Sequence, residues 1–133
     1  SMLWRPMIPV VERRDAQGKS TRINVIAGGI EGVHAPAPPP NSWASRTKAE
    51  LAIWTMKLES EARFQLPATS PGVHRTIYVF RGDELMVGPR RVRRGRAVKT
   101  RGEFALELHN PGPAVEILVL QGRPIGEPVA QYG

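Results

Sequence analysis

Short apolar segments separated by turn residues make up most of the chain, and residues 76–88 are the most strongly patterned. Residues 77–80 are Ile, Tyr, Val and Phe without interruption, the composition of a strand buried on both faces. Residues 81–84 predict a polar turn, in which Gly82 can adopt a positive φ. Residues 85–87 then predict a partner strand that Gly88 and Pro89 end. We therefore predict a β-hairpin here, covered by a second sheet.

Alternation of apolar and polar residues predicts further strands on both sides of this hairpin. Thr21, Ile23 and Val25 alternate with polar residues and predict a half-buried strand that ends at Gly28. A turn at 15–18 separates that strand from an earlier candidate strand. Residues 104–109 alternate in the same way, a turn follows at 110–113, and residues 115–120 predict another apolar strand.

Residues 49–64 fit two periodicities. Leu51, Trp54, Leu58 and Ala62 would share one face of a helix, whereas residues 51–56 also alternate between two faces, as in a strand. Because glycine and proline are dense on both sides of the segment, we favour a strand.

The composition favours a single all-β domain. Thirteen glycines and thirteen prolines in 133 residues divide the chain into short segments, and the absence of cysteine excludes a disulfide framework and a thiolate site. No apolar run is long enough to span a bilayer, and no leader pattern opens the sequence, so we expect a soluble, cytoplasmic protein without membrane contact. The net charge of +7 bears on partners and solubility rather than on fold.

These patterns together predict an antiparallel β-sandwich or barrel with at most a turn or two of helix. We divide the chain into an N-terminal arm and first turn at 1–19 and one domain at 20–133, and we expect an extended loop at 35–40. The arm carries an apolar group, Leu3, Trp4, Met7 and Ile8, as a candidate contact surface. The predicted core, given as these residues or their strand neighbours, comprises Ile23, Val25, Ile53, Tyr78, Phe80, Leu106, Leu108, Ile117 and Val119.

Residues 90–101 carry seven basic side chains and no acid. Arginine forms forked hydrogen bonds with oxyanions, and five of the six arginines here could bind a small anion or a polyanion: Arg90, Arg91, Arg93, Arg94 and Arg96. The alternative is a solvated edge strand whose charges prevent edge-to-edge pairing. We expect these side chains to be exposed and to bind polyanions weakly.

Catalytic patterns based on side-chain nucleophiles or paired acids are not found in the sequence. No serine lies in a nucleophile elbow, and Glu103 and Glu107 alternate with core positions, which indicates solvated side chains. No glycine-rich phosphate loop is recognisable, because Gly28 and Gly29 lack the lysine and helix that follow such a loop. We assign no catalytic residue.

The end of the chain resembles the end of pirin proteins, in which the last strand runs into the motif Gly-x-Pro-x-x-Glu-Pro-Val-x-Gln-x-Gly. The matching residues are Gly122, Pro124, Glu127, Pro128, Val129, Gln131 and Gly133. Residues 25–32 and 58–67 also resemble the corresponding parts of the family, so the resemblance runs from about residue 8 to residue 133.

The resemblance implies an antiparallel jelly roll of the cupin superfamily. Pirins have two cupin lobes, of which the N-terminal lobe holds iron through three histidines and one glutamate, and this chain resembles only the C-terminal lobe. Family members are associated with iron-dependent quercetin 2,3-dioxygenase activity and with transcription co-regulation, both tied to the iron-bearing lobe. Because the sequence ends before the Phe-Val-Met-Asn segment of pirins, we expect an isolated second lobe or a short relative.

A cupin metal site, as the resemblance implies it, needs a His-x-His pair, a glutamate about seven residues before the hairpin glycine, and a later histidine. Counting back from Gly82 places Thr69, Pro71 and Arg75 at the first three positions, and Val98 occupies the fourth. None of these side chains suits iron. We therefore expect no metal and no other cofactor in this chain.

The remaining candidate ligands are three histidines without ligand spacing. His34, His74 and His109 lie on separate segments, and His74 is one residue out of register with the cupin positions. Arg75 would instead place a positive charge at the barrel mouth and could receive a carboxylate or a phosphate there.

Two classes of function remain open. The first is a non-catalytic, metal-free C-terminal lobe that packs against an N-terminal cupin lobe or a second copy of itself. The second is a self-standing binding module that uses Arg75 or the basic segment 90–101.

Overall fold

The computed structural model describes residues 8–36 and 50–123, which form twelve β-strands and no helix. The strands are β1 (Val10–Arg14), β2 (Ser20–Ala27), β3 (Gly29–Ile30), β4 (Val33–His34), β5 (Ala52–Leu58), β6 (Arg63–Leu66), β7 (His74–Arg81), β8 (Glu84–Val87), β9 (Arg90–Arg93), β10 (Ala97–Arg101), β11 (Leu106–His109) and β12 (Val115–Gly122). This confirms the predicted all-β class.

Two main antiparallel sheets enclose the core. The first contains six strands in the order β1-β2-β5-β12-β7-β10, and the second contains four in the order β6-β11-β8-β9. Strands β3 and β4 form a small separate ribbon. None of the described residues belongs to a helix that could cross a membrane.

The core lies between the two sheets because alternate residues of each strand face inward. In β12, Val115, Ile117 and Val119 are fully buried while the residues between them are partly accessible. The same alternation in β2 buries Ile23 and Val25, as predicted. Each fully buried aliphatic side chain stabilises the fold by about 1.5–3 kcal/mol.

The predicted hairpin at 76–88 is wrong, because β7 and β8 belong to different sheets. Strand β7 pairs with β10 and β12, whereas β8 pairs with β9 and β11. The chain crosses between the sheets at Gly82, which has a φ of 98°. A Cβ atom there would lie 2.6 Å from the Ala114 carbonyl oxygen. The actual hairpin joins β8 to β9 through Gly88 and Pro89.

Strand β7 is buried on one face only, which also corrects the predicted core. Ile77 and Val79 are buried, whereas Tyr78 is 39% exposed and Phe80 is half-buried on the opposite face. An uninterrupted apolar sequence does not reveal which alternate residues face inward, because every position looks equally apolar. The inward residues are the strand neighbours of those named in the prediction.

Leu108 is buried as predicted, but the strand that contains it is shorter than its alternation indicates. Strand β11 begins at Leu106, which is half-buried against the core. Phe104 lies before the strand and is 60% exposed, with its ring 5.7 Å from the Arg101 guanidinium carbon. Ile53 is half-buried on the outer face of β5.

The strand interpretation of residues 49–64 is confirmed, since this segment contains β5 and the start of β6. A turn at 59–62 separates them, in which the Ala62 amide donates a 2.9 Å hydrogen bond to the Glu59 carbonyl oxygen. Glu61 has a φ of 67° in this turn.

The predicted turn at 15–18 is also confirmed, and it joins two strands. The Gly18 amide donates to the Asp15 carbonyl oxygen at 2.9 Å, and the Asp15 carboxylate accepts hydrogen bonds from the amides of Gln17, Lys19 and Arg63. Strand β1, which lies within the predicted arm, pairs with β2 along its whole length.

Asn110 holds together three segments at one end of the sandwich. Its side chain is fully buried, and Nδ2 donates to the carbonyl oxygens of Leu58, Glu59 and Pro113 at 3.1, 3.2 and 2.8 Å. Oδ1 accepts a 3.1 Å hydrogen bond from the Gly112 amide. The residue therefore joins the end of β5 to the turn that leads into β12.

Candidate functional site

Arg75, which the resemblance places at the cupin acid position, lies in the interior of the sandwich. It is the second residue of β7 and shares the inward face with Ile77 and Val79, with none of its surface exposed. The expectation that Arg75 receives an anion at the barrel mouth stays a prediction. Every second residue of β7 faces the core, so Arg75 faces inward like Val79 and lies next to the loop between β6 and β7.

Neutral partners hold most of the Arg75 guanidinium. Nε donates a 2.9 Å hydrogen bond to Gln121 Oε1, and Nη2 donates to the Pro67 carbonyl oxygen. Nη1 is buried without a hydrogen-bond partner among the described residues. Burial lowers the pKa of Arg75, but a guanidinium stays protonated in proteins at neutral pH.

The other cupin positions do not offer metal ligands. Thr69 Oγ1 donates a 2.9 Å hydrogen bond to the Gly102 carbonyl oxygen, and Pro71 has no side-chain donor atom. Val98 lies on β10 and packs against the core. Within residues 8–36 and 50–123, no three histidine or acidic side chains are grouped as a metal site requires. The residues at these positions do not fit the iron that the fold family implies.

The three histidines lie apart, as their sequence positions predict. His34 ends β4 and is exposed, and His74 begins β7 on the face opposite Arg75. His109 ends β11, with its Nε2 atom 3.6 Å from Glu61 Oε1. They form no common site.

Two residues that sequence reasoning did not single out, Gln121 and Glu50, complete the surroundings of Arg75. Gln121 lies directly opposite Arg75 on β12, and its Nε2 donates a 3.2 Å hydrogen bond to the Glu50 carbonyl oxygen. The sequence does contain one sign of this contact, a glutamine at an inward position of an apolar strand. The Glu50 carboxylate lies 3.1 Å from Arg123 Nη2.

The Glu50 carboxyl is held in its charged form. Burial raises its pKa, but hydrogen bonds from Ser70 and the Arg123 guanidinium outweigh that effect, so the pKa lies below its usual value. This carboxylate is therefore already paired outside the sandwich interior.

The basic segment lines a groove between the free edges of the two main sheets. Strands β9 and β10 are edge strands of different sheets, and the groove between them has a volume of about 460 Å³. All five predicted arginines are exposed, as expected. Arg91 lies 3.7 Å from Glu84, whereas the other four have no ion-pair partner among the described residues. The lining residues are Arg90, Arg91, Val92, Arg93, Arg96, Ala97 and Val98.

The outer face of the six-stranded sheet is apolar near its centre. Tyr78, Leu120 and Ile26 are 39%, 44% and 43% exposed, and the Tyr78 and Phe80 rings stack with centroids 6.4 Å apart. Leu118, on the same outer face, is the cross-strand neighbour of Tyr78. The sequence analysis placed the apolar contact surface at residues 3–8 instead, of which only Ile8 lies within the described residues.

Charged side chains border this face at one end. Glu116 and Arg81 lie opposite each other with 3.8 Å between their charged groups, and Lys57 is the neighbour of Glu116 on β5. An apolar centre with a charged border is typical of a surface that another protein covers.

The two glutamates of the β11 region pair with arginines. Glu107 is exposed, as predicted, and its Oε2 lies 3.1 Å from Arg63 Nη1. Glu103 is half-buried and lies 2.9 Å from Arg101 Nη2. Neither faces a second carboxylate in a cleft of the described residues, so the geometry does not provide an acid–base pair there.

Comparison with known proteins identifies the sequence family. Residues 53–133, more than half of the chain, match the family model described as the pirin C-terminal cupin domain. Of the terminal signature, Gly122 ends β12. The remaining residues, 124–133, lie outside the described part. No curated protein matches the chain.

Solved structures share the fold at low sequence identity. A quercetin 2,3-dioxygenase from Acinetobacter baumannii is 24% identical with a TM-score of 0.65, and the match covers 91% of this chain and 38% of that one. A protein from Geobacillus kaustophilus is 22% identical with a TM-score of 0.64, covering 91% and 45% of the two chains. A predicted oxalate decarboxylase from Thermotoga maritima is 14% identical with a TM-score of 0.58, covering 88% and 94%.

The fold and the sequence match lead to the same assignment. The sandwich described above is the cupin jelly roll of these structures, and the family match covers Arg75, the arginine groove, and Tyr78 and Leu120 of the apolar outer face. The chain therefore belongs to the pirin family, as a C-terminal cupin domain.

Proposed function

We propose that this chain is a non-catalytic, metal-free cupin lobe that supports an iron-bearing N-terminal cupin lobe. The observation that carries the proposal is the buried Arg75. A fixed positive charge at an interior cupin position repels a cation strongly, since charges interact more strongly away from water. Thr69, Pro71 and Val98 add no ligand that would offset this repulsion.

The outer face of the six-stranded sheet is the surface that we assign to the partner lobe. Tyr78 and Leu120 expose apolar area that an isolated domain would gain by burying. The Acinetobacter dioxygenase extends far beyond the part that this chain matches, which supports a second lobe as the occupant. Any dioxygenase activity of the family would then require that second lobe.

A metal assay tests the first part of the proposal. The purified chain is incubated anaerobically with Fe(II), desalted and analysed for iron, and oxygen uptake is then measured with quercetin. We expect no iron above a buffer control and no quercetin-dependent oxygen uptake. Stoichiometric iron with turnover would refute the proposal, and the variant Arg75→Gln tests whether the charge is what excludes the metal.

Self-association tests the second part. Without its partner lobe, the chain covers its apolar face most simply as a two-fold dimer. We expect sedimentation to show a dimer that the variant Leu120→Glu converts to a monomer. The control Phe104→Glu places the same charge at an exposed apolar residue outside the sheet, and it should leave the dimer intact. A wild-type monomer at high concentration would contradict this part.

A second candidate function is polyanion binding by the arginine groove. Arg90, Arg93, Arg94 and Arg96 have no ion-pair partner among the described residues, so their charge is available to a ligand. Binding to a short duplex DNA should weaken steeply as the salt concentration rises. Each contacted phosphate adds about −0.9 to the slope of log K against log salt. The double variant Arg93→Gln and Arg96→Gln should lower that slope. Affinity that is sequence-selective or that persists at high salt would refute weak, non-specific binding.

A further inference from the structure

The inward face of the six-stranded sheet contains one polar row in an otherwise apolar core. Thr100 on β10, Arg75 on β7 and Gln121 on β12 lie directly opposite one another across the three strands. The next inward row contains Val98, Ile77 and Val119. Three polar side chains therefore meet at one end of the sandwich interior.

Two hydrogen-bond donors in this row have no partner among the described residues. Arg75 Nη1 and Thr100 Oγ1 are both buried and form no hydrogen bond with any residue that the structure describes. Gln121 is different, because its two polar atoms pair with Arg75 Nε and the Glu50 carbonyl oxygen. A buried donor without an acceptor is destabilising, so the adjacent pair indicates a missing acceptor.

The described residues around the Arg75 guanidinium provide no negative charge. Arg75 is fully buried, and its contacts are a glutamine amide oxygen and the Pro67 carbonyl oxygen, both neutral. Glu50, whose main chain contacts Gln121, directs its carboxylate to Arg123 instead. A buried charge is tolerated when it is paired, and no acid among the described residues contacts this guanidinium.

We propose that Arg75 and Thr100 bind a small monovalent oxyanion, of the size of formate or acetate, inside the sandwich. Cross-strand neighbours have Cβ atoms about 4.5–5.5 Å apart, so the Arg75 and Thr100 side chains start side by side on the inward face of the sheet. One oxygen accepts from Arg75 Nη1 and the other from Thr100 Oγ1, and the anion neutralises the guanidinium. This site is independent of the partner lobe and of the arginine groove.

The loop at 67–73 selects for small anions. It contacts the polar row through the Pro67 carbonyl oxygen, which accepts from Arg75, and it is fixed by hydrogen bonds from Thr69 to Gly102 and from Arg123 Nη1 to the Pro71 carbonyl oxygen at 2.8 Å. A larger oxyanion such as a sugar acid would have to displace these contacts. The site therefore discriminates by size as well as by charge.

Thermal unfolding in sodium formate tests the proposal. Formate replaces gluconate, which is too large to enter, at constant ionic strength and pH. A ligand that binds only the folded state raises the Tm in a saturable manner. We expect such a rise for the wild-type chain. A Tm that does not respond to formate would mean that only water occupies the row, and it would overturn the proposal.

Three variants locate the effect. Arg75→Met removes the buried charge at similar volume and should abolish the formate response, whereas Arg22→Met removes one exposed charge outside the arginine groove and should preserve it. Thr100→Val keeps the shape of the side chain and should weaken formate binding about tenfold, the loss of one charge-assisted hydrogen bond. An equal response in Arg75→Met and the wild type would overturn the site. If Arg75→Met does not fold, an unchanged formate affinity in Thr100→Val would overturn it instead.

Discussion

Asn110 is the residue whose replacement tests the packing at the end of the sandwich most directly. Its amide has two N–H groups for three acceptor oxygens, so its Nδ2 contacts count as two hydrogen bonds, and Oδ1 adds a third. Each buried hydrogen bond contributes about 0.5–1.5 kcal/mol net, and an unpaired buried group costs more. We expect Asn110→Ala to lower the free energy of unfolding by about 2–4 kcal/mol.

Urea unfolding at neutral pH measures this change. An unchanged m-value shows that the variant and the wild type expose the same surface area on unfolding. The matched control is Asn24→Ala. Asn24 is half-buried and donates one 2.9 Å hydrogen bond to Thr55 Oγ1, so its loss should cost about 1 kcal/mol. Equal losses in the two variants would refute the role assigned to Asn110.

The variant Asn110→Asp adds a pH test. Its carboxylate would face three carbonyl oxygens in a buried site, which raises its pKa in the folded state. The resulting destabilisation is complete above that raised pKa and disappears as the pH falls below the pKa of the unfolded chain. Asn110→Asp should therefore recover stability relative to Asn110→Ala on acidification. A constant difference between them would contradict the buried geometry.

Three further predictions concern other parts of the fold. Gly82→Ala should destabilise the protein far more than Gly95→Ala, because both have a positive φ but only at Gly82 would the Cβ meet backbone atoms; equal urea midpoints would refute this. The pKa values of Asp15 and Glu50 are both lowered. Desolvation raises the pKa of Asp15, but hydrogen bonds from backbone amides outweigh that effect. Both carboxylates therefore stabilise the fold at a pH above the pKa of the unfolded chain. That stability should be lost as the pH falls through their folded values, and Asp15→Asn should flatten the acid limb of a pH–stability profile. Thr21→Val should be neutral or stabilising in urea unfolding, because the buried Thr21 hydroxyl has no partner among the described residues.

Local patterns determined the class of the fold and the position of most strands. Alternation at Thr21, Ile23 and Val25 identified β2 and its inward face, since a pleated strand places every second side chain on one face. The turn at 15–18 followed from residues that hydrogen-bond their own backbone. The exposure of the arginines at 90–96 was also predictable, because a run of charged side chains is mostly solvated.

The pairing of strands depended on contacts between distant segments. The apolar sequence on each side of Gly82 is equally suited to a hairpin and to a crossing between sheets. The crossing is selected by β12 and β10, which pair with the two edges of β7 and leave no free edge for β8. The residues near position 82 do not indicate whether the chain forms a hairpin or crosses between the sheets.

The candidate sites show the same division. The sequence by itself carried the resemblance to the pirin C-terminal lobe, which places Arg75 at the position of a cupin ligand. Only the tertiary structure decided that Arg75 is buried, that Thr100 and Gln121 lie beside it, and that the apolar surface is the outer face of the six-stranded sheet. These facts depend on strand register, which joins residues more than twenty positions apart, whereas a sequence pattern reports only the neighbours of each residue along the chain.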